Sequence, residues 1–436
     1  MSRANIPPRA ARLTAPPPDA ILGAVRWQPY HTVWSLLVFG WICNYVVRMA
    51  FSPLLEPIMA EFALSHAEAG FLFSVFFYGY ISTQIPGGLL GDRVGRKRVL
   101  VTGIVVVALA AGVTGMATTL VALGLARLLT GMAQGVYMAN DRPIIAAVTP
   151  ADRLAAGQGI SLSGLGLGSA LGVVVGGFLG ELMPWRTVFL VLMALPLLSA
   201  VLIGRYVPEP GRTPAAGARA GQAPGHASVL RHRDLWLLGL AGISLNWTQW
   251  VIGTWGPALF AESGVRDLGR SALYASLLGV AAFPGLVTMG RLSDRLLRRR
   301  VPRKAVVAAA ILAMALLTIA LGAAVAARGP AWLLAVLVFA TSFFIWGAWP
   351  PAFALMSELF PPRVMGFAFG LFNAICFVAS LLAPYVTGWI RDWTGSFAWG
   401  CYFAALLALL AVPVTLAVRP DPSLAAPSPA GPIAPC

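Results

Sequence analysis

Long apolar stretches, each broken by a short cluster of charges, Gly or Pro, dominate the chain from residue 33 onward. A helix rises about 1.5 Å per residue and a bilayer's hydrocarbon core is about 30 Å thick, so one crossing takes about 20 mainly apolar residues. The stretches at 33–55, 68–90, 98–117, 119–147, 155–182 and 185–206 meet that length. So do those at 234–260, 271–293, 304–326, 330–358, 363–390 and 397–418, and twelve helices are predicted. Residues 208–233, rich in Pro, Ala, Gly and Arg without apolar periodicity, separate the two sets of six and read as a flexible linker. The expected organisation is a disordered tail over 1–29, a six-helix bundle over 30–207, the linker over 208–233, a second bundle over 234–419 and a disordered tail over 420–436. The first tail has no apolar core of signal-peptide length.

Composition says what surrounds these helices. Of 436 residues, 58% are hydrophobic and 11% charged, and mean hydropathy is +0.79. Polar residues are too few to clothe a soluble fold of this length, so lipid is the expected solvent and the fold class is an all-α membrane protein. The net charge of +15 does not point to nucleic acid. Roughly 24 of the 31 Lys and Arg fall in alternate loops on the side of the N-terminus, the positive-inside pattern. Both termini are expected in the cytoplasm, and the chain is expected in the cytoplasmic (inner) membrane as a multi-pass protein. Glu56, Glu61, Glu68, Glu181, Glu262 and Asp267 lie mostly in the opposite loops.

Cys43, Cys376 and Cys401 sit inside apolar runs and Cys436 is terminal, so neither a disulfide framework nor a thiolate metal site is expected. No segment gathers a nucleophile with an acid and a base, which argues against an enzyme; no cofactor is expected.

The chain repeats itself. GGLLGDRVGRKRVL, Gly87–Leu100, follows the second predicted helix, and MGRLSDRLLRRRVPRKAVV, Met289–Val307, follows the eighth. PADRLAAG, Pro150–Gly157, after the fourth is answered by PPRVMG, Pro361–Gly366, after the tenth. Such a repeat implies two halves built on one plan, with a substrate path between them near the bilayer midplane.

The first loop resembles the motif G-x-L-x-D-x-x-G-R-K/R of the major facilitator superfamily, carried here by Gly88, Leu90, Asp92, Gly95, Arg96 and Lys97. That resemblance implies twelve transmembrane helices in two six-helix bundles. Asp92 and Arg96, four residues apart, can pair. The resemblance adds Asp141 as a third gating member, with Glu358 playing that part opposite Asp294 and Arg298, a set expected to lock the outward-open state and break as the halves rock. Further segments resemble the anion:cation symporter branch, which carries organic anions such as sugar acids. They are NYVVR (Asn44–Arg48), AEFALSHAEAG (Ala60–Gly70), FFYGYISTQIPGG (Phe76–Gly88), WRTVF (Trp185–Phe189), TWGP (Thr254–Pro257) and Gly370–Ser396.

Two arginines carry the expected chemistry. Arg48 lies about 15 residues into the first helix and Arg127 about 9 into the fourth from the other side, so their depths differ by about 5 Å. Each costs at least about 2.5–3.5 kcal/mol near the bilayer centre unless it has a partner or a polar cavity. Arg127 also opens an R-x-x-x-G-x-x-x-G run with Gly131 and Gly135, and ordering of helix packing is its alternative role. In the resembled branch both arginines line the anion site, where the guanidinium fork suits a carboxylate. Tyr45 and Tyr80 match substrate-contacting positions there, and Gln84, one turn beyond Tyr80, is either a polar neighbour or an interhelical tie.

Proton-coupled members of that branch carry carboxylates where this chain has Val47 and Gln134. Gln134 is retained as a polar substrate contact, but neither residue takes a proton. His31, His66, His226 and His232 fall at helix ends or in loops. Proton coupling through Asp141 or Glu56, uniport, anion exchange and coupling through a substrate proton stay open. Helices seven, eight and eleven have no midmembrane basic residue; the second half offers Trp255, Trp349 and Asn373 among its aromatic and amide side chains. The expected function is a secondary active or facilitative transporter of a small organic carboxylate, working by alternating access. Alternatives are a drug or metabolite exporter of the same fold, which the Gly-rich run Gly164–Gly177 resembles weakly for want of a proline, and a non-transporting receptor. Expected partners are the organic anion, a coupling ion or counter-anion and the lipid bilayer, with the protein a monomer.

Overall fold

The computed structural model describes residues 27–150, 153–210, 226–360 and 362–419, and every regular element among them is helical. The first half contains α1 (Pro29–Met49), α2 (Leu55–Phe62), α3 (His66–Val94), α4 (Arg96–Met116), α5 (Leu120–Val148), α6 (Leu154–Leu182), α7 (Trp185–Leu192) and α8 (Ala194–Tyr206). The second contains α9 (His226–Arg231), α10 (Arg233–Glu262), α11 (Leu268–Ala275), α12 (Leu277–Val280), α13 (Ala282–Arg298), α14 (Arg303–Ala326), α15 (Ala331–Leu359), α16 (Pro362–Thr394) and α17 (Ala398–Leu416). Eleven stretches are long and apolar enough to cross a membrane, with α7–α8 and α11–α13 each counting as one. The eleven do not include α3, whose 29 residues carry Ser74, Ser82, Thr83, Gln84 and Pro86.

The predicted helix over 33–55 ends early: α1 stops at Met49, and α2 starts at Leu55 beyond Ser52 and Pro53. Residues 1–26 and 420–436, where the tails were expected, and 211–225 of the linker lie outside the described residues. The rest of the linker is not all loop, because residues 226–231 form α9. Local signals start several helices: Ser65 and Glu68 form a capping box on α3, Thr119 accepts from Ala122 N at 3.2 Å on α5, and Asp267 accepts from Arg270 N at 2.8 Å on α11.

Two bundles result. In the first, α1 packs on α6 and α8, and α5 on α3 and α4; in the second, α10 packs on α16 and α17, α14 on α15 and α17, and α13 on α15. They meet along α3 with α16 and along α6 with α11 and α12. Glycines let backbones touch at α3–α5: a Cβ on Gly79, Gly131 or Gly135 would overlap a backbone carbonyl oxygen of Leu128, Phe76 or Tyr80. At the end bearing the repeated loops, Trp34 Nε1 donates to Thr149 Oγ1 at 2.9 Å and Lys304 Nζ to Leu416 O at 3.0 Å. At the opposite end α2 is tied to α7, where Trp185 Nε1 donates to Glu61 Oε2 at 2.7 Å and Arg186 pairs with the same carboxylate. The hydrogen bond from Arg186 holds Glu61 below the usual carboxylate range.

Candidate functional site

Arg48 and Arg127 are each 2% exposed, and among the described residues neither has a hydrogen bond or an ion pair. Aromatic faces stand in for carboxylates. The Arg48 guanidinium carbon lies 4.3 Å from the ring centre of Phe76, 4.8 Å from Tyr45, 4.9 Å from Phe77 and 4.9 Å from Trp250, with Tyr80 at 5.8 Å. That of Arg127 lies 4.2 Å from Phe51 and 5.3 Å from Phe76. Phe76 therefore faces both cations. A desolvated cation over an aromatic face gains about 2 kcal/mol, which offsets only part of the cost of burying it. Arg48 Nε, Arg127 Nε and Nη2, and the indole nitrogens of Trp247 and Trp250 are buried without partners. All five are donors or cationic nitrogens, and what they lack is an acceptor.

Trp250 belongs to α10 of the second half, so the cage around Arg48 spans the junction. Tyr80 of α3 stacks on Phe377 of α16, ring centres 5.6 Å apart, across the same junction. Gln84 and Asn373 stand one turn from Tyr80 and Phe377, each nearer the repeated loops. Gln134 is fully buried and its amide donates to Asn44 O at 2.9 Å, which ties α5 to α1. Trp255 and Trp349 are not brought to the arginines. Trp255 donates to Pro384 O at 3.1 Å and packs against His66 and Phe397. Trp349 stacks on Phe353 at 5.5 Å and lies against Phe372 within the second half. Sequence reasoning counted Trp250 among the second half's aromatic residues without placing it at the arginine, and it missed Phe51, Phe76 and Phe77; the FFYGY run beside a buried arginine was the signal for the last two.

In the described state two members of the gating set, which is expected to break as the halves rock, stand apart from their expected partners. Arg96 pairs with Asp92 and reaches Ala139 O at 3.5 Å, but Asp141 is not its partner. Asp141 lies two residues on, about 200° around α5, and faces α1 and α6, where it accepts from Trp41 Nε1 at 2.8 Å and Ser161 Oγ at 3.3 Å beside Arg142. In the second half the cation between Asp294 and Glu358 is Arg303, at 2.9 Å and 2.8 Å, while Arg298 is exposed. Arg96 opens α4 and Arg303 opens α14, so the repeat is kept by helix start and not by spacing. Arg303→Gln is expected to lower the unfolding midpoint in detergent by about 2 °C and Arg298→Gln by less than about 0.5 °C.

The bonds between the halves gather at the end opposite the loops. Ser52 Oγ donates to Thr254 O at 2.8 Å, Gly269 N to Glu181 Oε1 at 2.7 Å, and His66 Nδ1 meets Asp392 Oδ1 at 2.7 Å. Towards the loop end, a Cβ on Gly159 of α6 or Gly370 of α16 would meet nothing within 4 Å.

The sequence profile of the Major Facilitator Superfamily matches residues 37–327 and 297–434. The chain belongs to that superfamily. The hexuronate transporter of Bacillus subtilis (strain 168) is 26% identical to it over 398 residues, 88% of this chain and 93% of that one. The probable sulfoacetate transporter SauU of Cupriavidus necator is 27% identical over 386 residues, 85% and 90% of the two chains. A bacterial homologue of the human lysosomal transporter Spinster, solved in an inward-facing and occupied conformation, matches with a TM-score of 0.75 over 89% of this chain and 97% of that one, at 16% identity, which establishes the shared fold. This superfamily member is a multi-pass secondary transporter of small organic molecules and not an enzyme.

Proposed function

We propose that this transporter carries a small organic anion, whose carboxylate is held by Arg48 with Arg127 behind it, by alternating access of two six-helix bundles. The observation that carries the reading is the pair of buried arginines, faced by aromatic rings from both halves and with no hydrogen-bond or ion-pair partner among the described residues. A carboxylate supplies that acceptor through both oxygens. It also neutralises charge that is costly to occlude, so binding favours closure. The named cargoes of the two relatives, a hexuronate and sulfoacetate, are small acids, which supports the same class. In this reading α3 is the twelfth crossing, kept inside by its contacts with α5 and α16. The charge bias of the loops supports an inner-membrane orientation with both termini and the repeated loops in the cytoplasm. The halves then touch on the outer side, and the described state opens inward. Val47 and the Gln134 amide leave the branch's usual proton sites empty of carboxylate. Uniport, anion exchange or a proton carried on the substrate itself remains as the mode.

Uptake into proteoliposomes tests this, with radiolabelled D-glucuronate and sulfoacetate as anionic probes and D-glucose as the neutral one. Saturable flux of an anion, inhibited by other carboxylates, is expected. Glucose flux with neither anion carried nor inhibiting would overturn the reading.

A further inference from the structure

Each half presents a carboxylate to the first turn of a helix in the other half. At α3, Asp392 of α16 accepts from His66 N at 3.0 Å and Ala67 N at 2.8 Å, and meets His66 Nδ1 at 2.7 Å. At α11, Glu181 of α6 accepts from Gly269 N at 2.7 Å. Both helices already have their own cap, Ser65 on α3 and Asp267 on α11, which serve N–H groups further in. The first N–H groups are the ones these caps leave over, and the positive end of the helix dipole faces the incoming carboxylate.

The two contacts correspond under the internal repeat. Helix α3 is the second crossing of its half and α11 opens the second crossing of the other; α16 and α6 are the fifth crossings. Each fifth crossing thus caps the second crossing across the junction. The backbone is shaped for this approach on both sides. A Cβ on Gly388, one turn before Asp392, would overlap the His66 carbonyl oxygen, and one on Gly177, one turn before Glu181, would overlap the Ala272 side chain. Neighbouring groups hold the Asp392 side in place: Arg391 pairs with Glu262 at 3.3 Å, Glu262 accepts from Phe397 N at 3.0 Å, and the His66 ring packs on Phe397.

We propose that Asp392 and Glu181 form a reciprocal pair of helix-capping latches that hold this end shut, and that both must release before the transporter can open here. The anion reading is not needed for this; alternating access is. When the halves part, the two carboxylates and three backbone N–H groups exchange these bonds for water. The fold of each bundle is untouched, because the helices keep their own caps. Asp392 and Glu181 are positioning residues, distant from the arginine cage.

Double electron–electron resonance on the full chain tests the pair. Spin labels go on Thr118→Cys and Arg266→Cys, exposed in loops of the two halves at this end, in a Cys436→Ser background. The unsubstituted protein should give mainly the short distance. Asp392→Ala and Glu181→Ala should each raise the ratio of long to short distance about tenfold, and together about a hundredfold, as independent contacts do. Asp392→Asn and Glu181→Gln, which keep the side-chain shape and one acceptor, should fall between and serve if the alanine variants do not fold. A double variant with the unsubstituted distance distribution overturns the proposal. So does a variant that loses thermal stability while the distribution stays fixed, since that marks a purely structural contact.

Discussion

Arg48→Met is expected to abolish anion transport and, at the same time, to raise the temperature at which the empty protein unfolds. The two effects have one cause. Arg48 is 2% exposed, has aromatic rings on several sides and no carboxylate partner among the described residues, and shares Phe76 with a second such cation, Arg127. Burying an ion without an opposite charge costs several kcal/mol, of which cation–π contact returns about 2. Met fills similar volume without that cost, so a rise in the unfolding midpoint is expected, about 1 °C for each kcal/mol recovered in a chain of this length. Binding moves the other way. Removing one member of a buried, hydrogen-bonded charge pair costs about 2–5 kcal/mol, which is roughly 30-fold to several thousand-fold in affinity.

Arg48→Lys separates charge from shape. The ammonium keeps the positive charge but cannot offer two parallel N–H groups, so weakened uptake with little gain in stability is expected. Arg127→Met should stabilise in the same sense and reduce uptake less, because the rings that face Arg127, those of Phe51, Phe73 and Phe76, all belong to the first half, whereas those around Arg48 come from both. The checks are proteoliposome uptake and thermal unfolding of the same preparations. An Arg48→Met protein that is no more stable than the parent, or that carries the anion at the parental rate, removes the assignment of Arg48 as the anion's counter-charge.

What the sequence made legible follows from the physics of each feature. Apolar length alone located the eleven stretches able to cross a membrane, because lipid imposes one length on each of them; at 68–90 it located a helix, α3, that is not apolar enough to be counted with them. It did not show that the first predicted helix divides at Ser52 and Pro53, since a proline within an apolar run is tolerated inside a membrane helix, as Pro86 and Pro143 are in α3 and α5. Arg48 and Arg127 stood out because charge at midmembrane depth is expensive wherever its partners lie. Of their partners only Tyr45, three residues before Arg48 on the same helix, was within reach of periodicity; Phe76, Phe77 and Trp250 come from α3 and α10, and no periodicity within one helix reports which faces of different helices meet. Trp255 and Trp349 illustrate the same limit, being apolar enough to line a cavity yet packed elsewhere. The Arg298 expectation copied the four-residue spacing of Asp92 and Arg96. The longer second loop moves the first residue of the following helix to Arg303, and geometry follows that helix start.

Gly131→Val is the backbone counterpart of the Arg48 experiment, and it should reduce folded protein and transport together. Gly131 lies one turn from Arg127 on α5, and its Cα faces α3, where any Cβ would overlap the Phe76 carbonyl oxygen. Backbone cannot yield as a side-chain end can, so α3 and α5 must separate. Gly79 and Gly135 bring the same two helices together at Leu128 and Tyr80, so a displacement at Gly131 propagates along the whole seam. The residues displaced are those that matter for the site: Phe76 and Phe77 face Arg48, and Tyr80 stacks on Phe377 of the other half. Overpacking of a tight contact costs about 1–3 kcal/mol where side chains can adjust, and more is expected here. Gly131→Ala should show a smaller version of the same loss. Gly124→Ala, on the same helix with only the tip of Leu72 3.9 Å away, should be close to neutral. Folded yield by size-exclusion chromatography and uptake per folded molecule measure the two parts. If Gly131→Val folds in normal yield but carries no anion, the seam positions the cage more than it stabilises the bundle. If yield and uptake both match the parent, the close approach of α3 and α5 is not what holds the aromatic faces against Arg48.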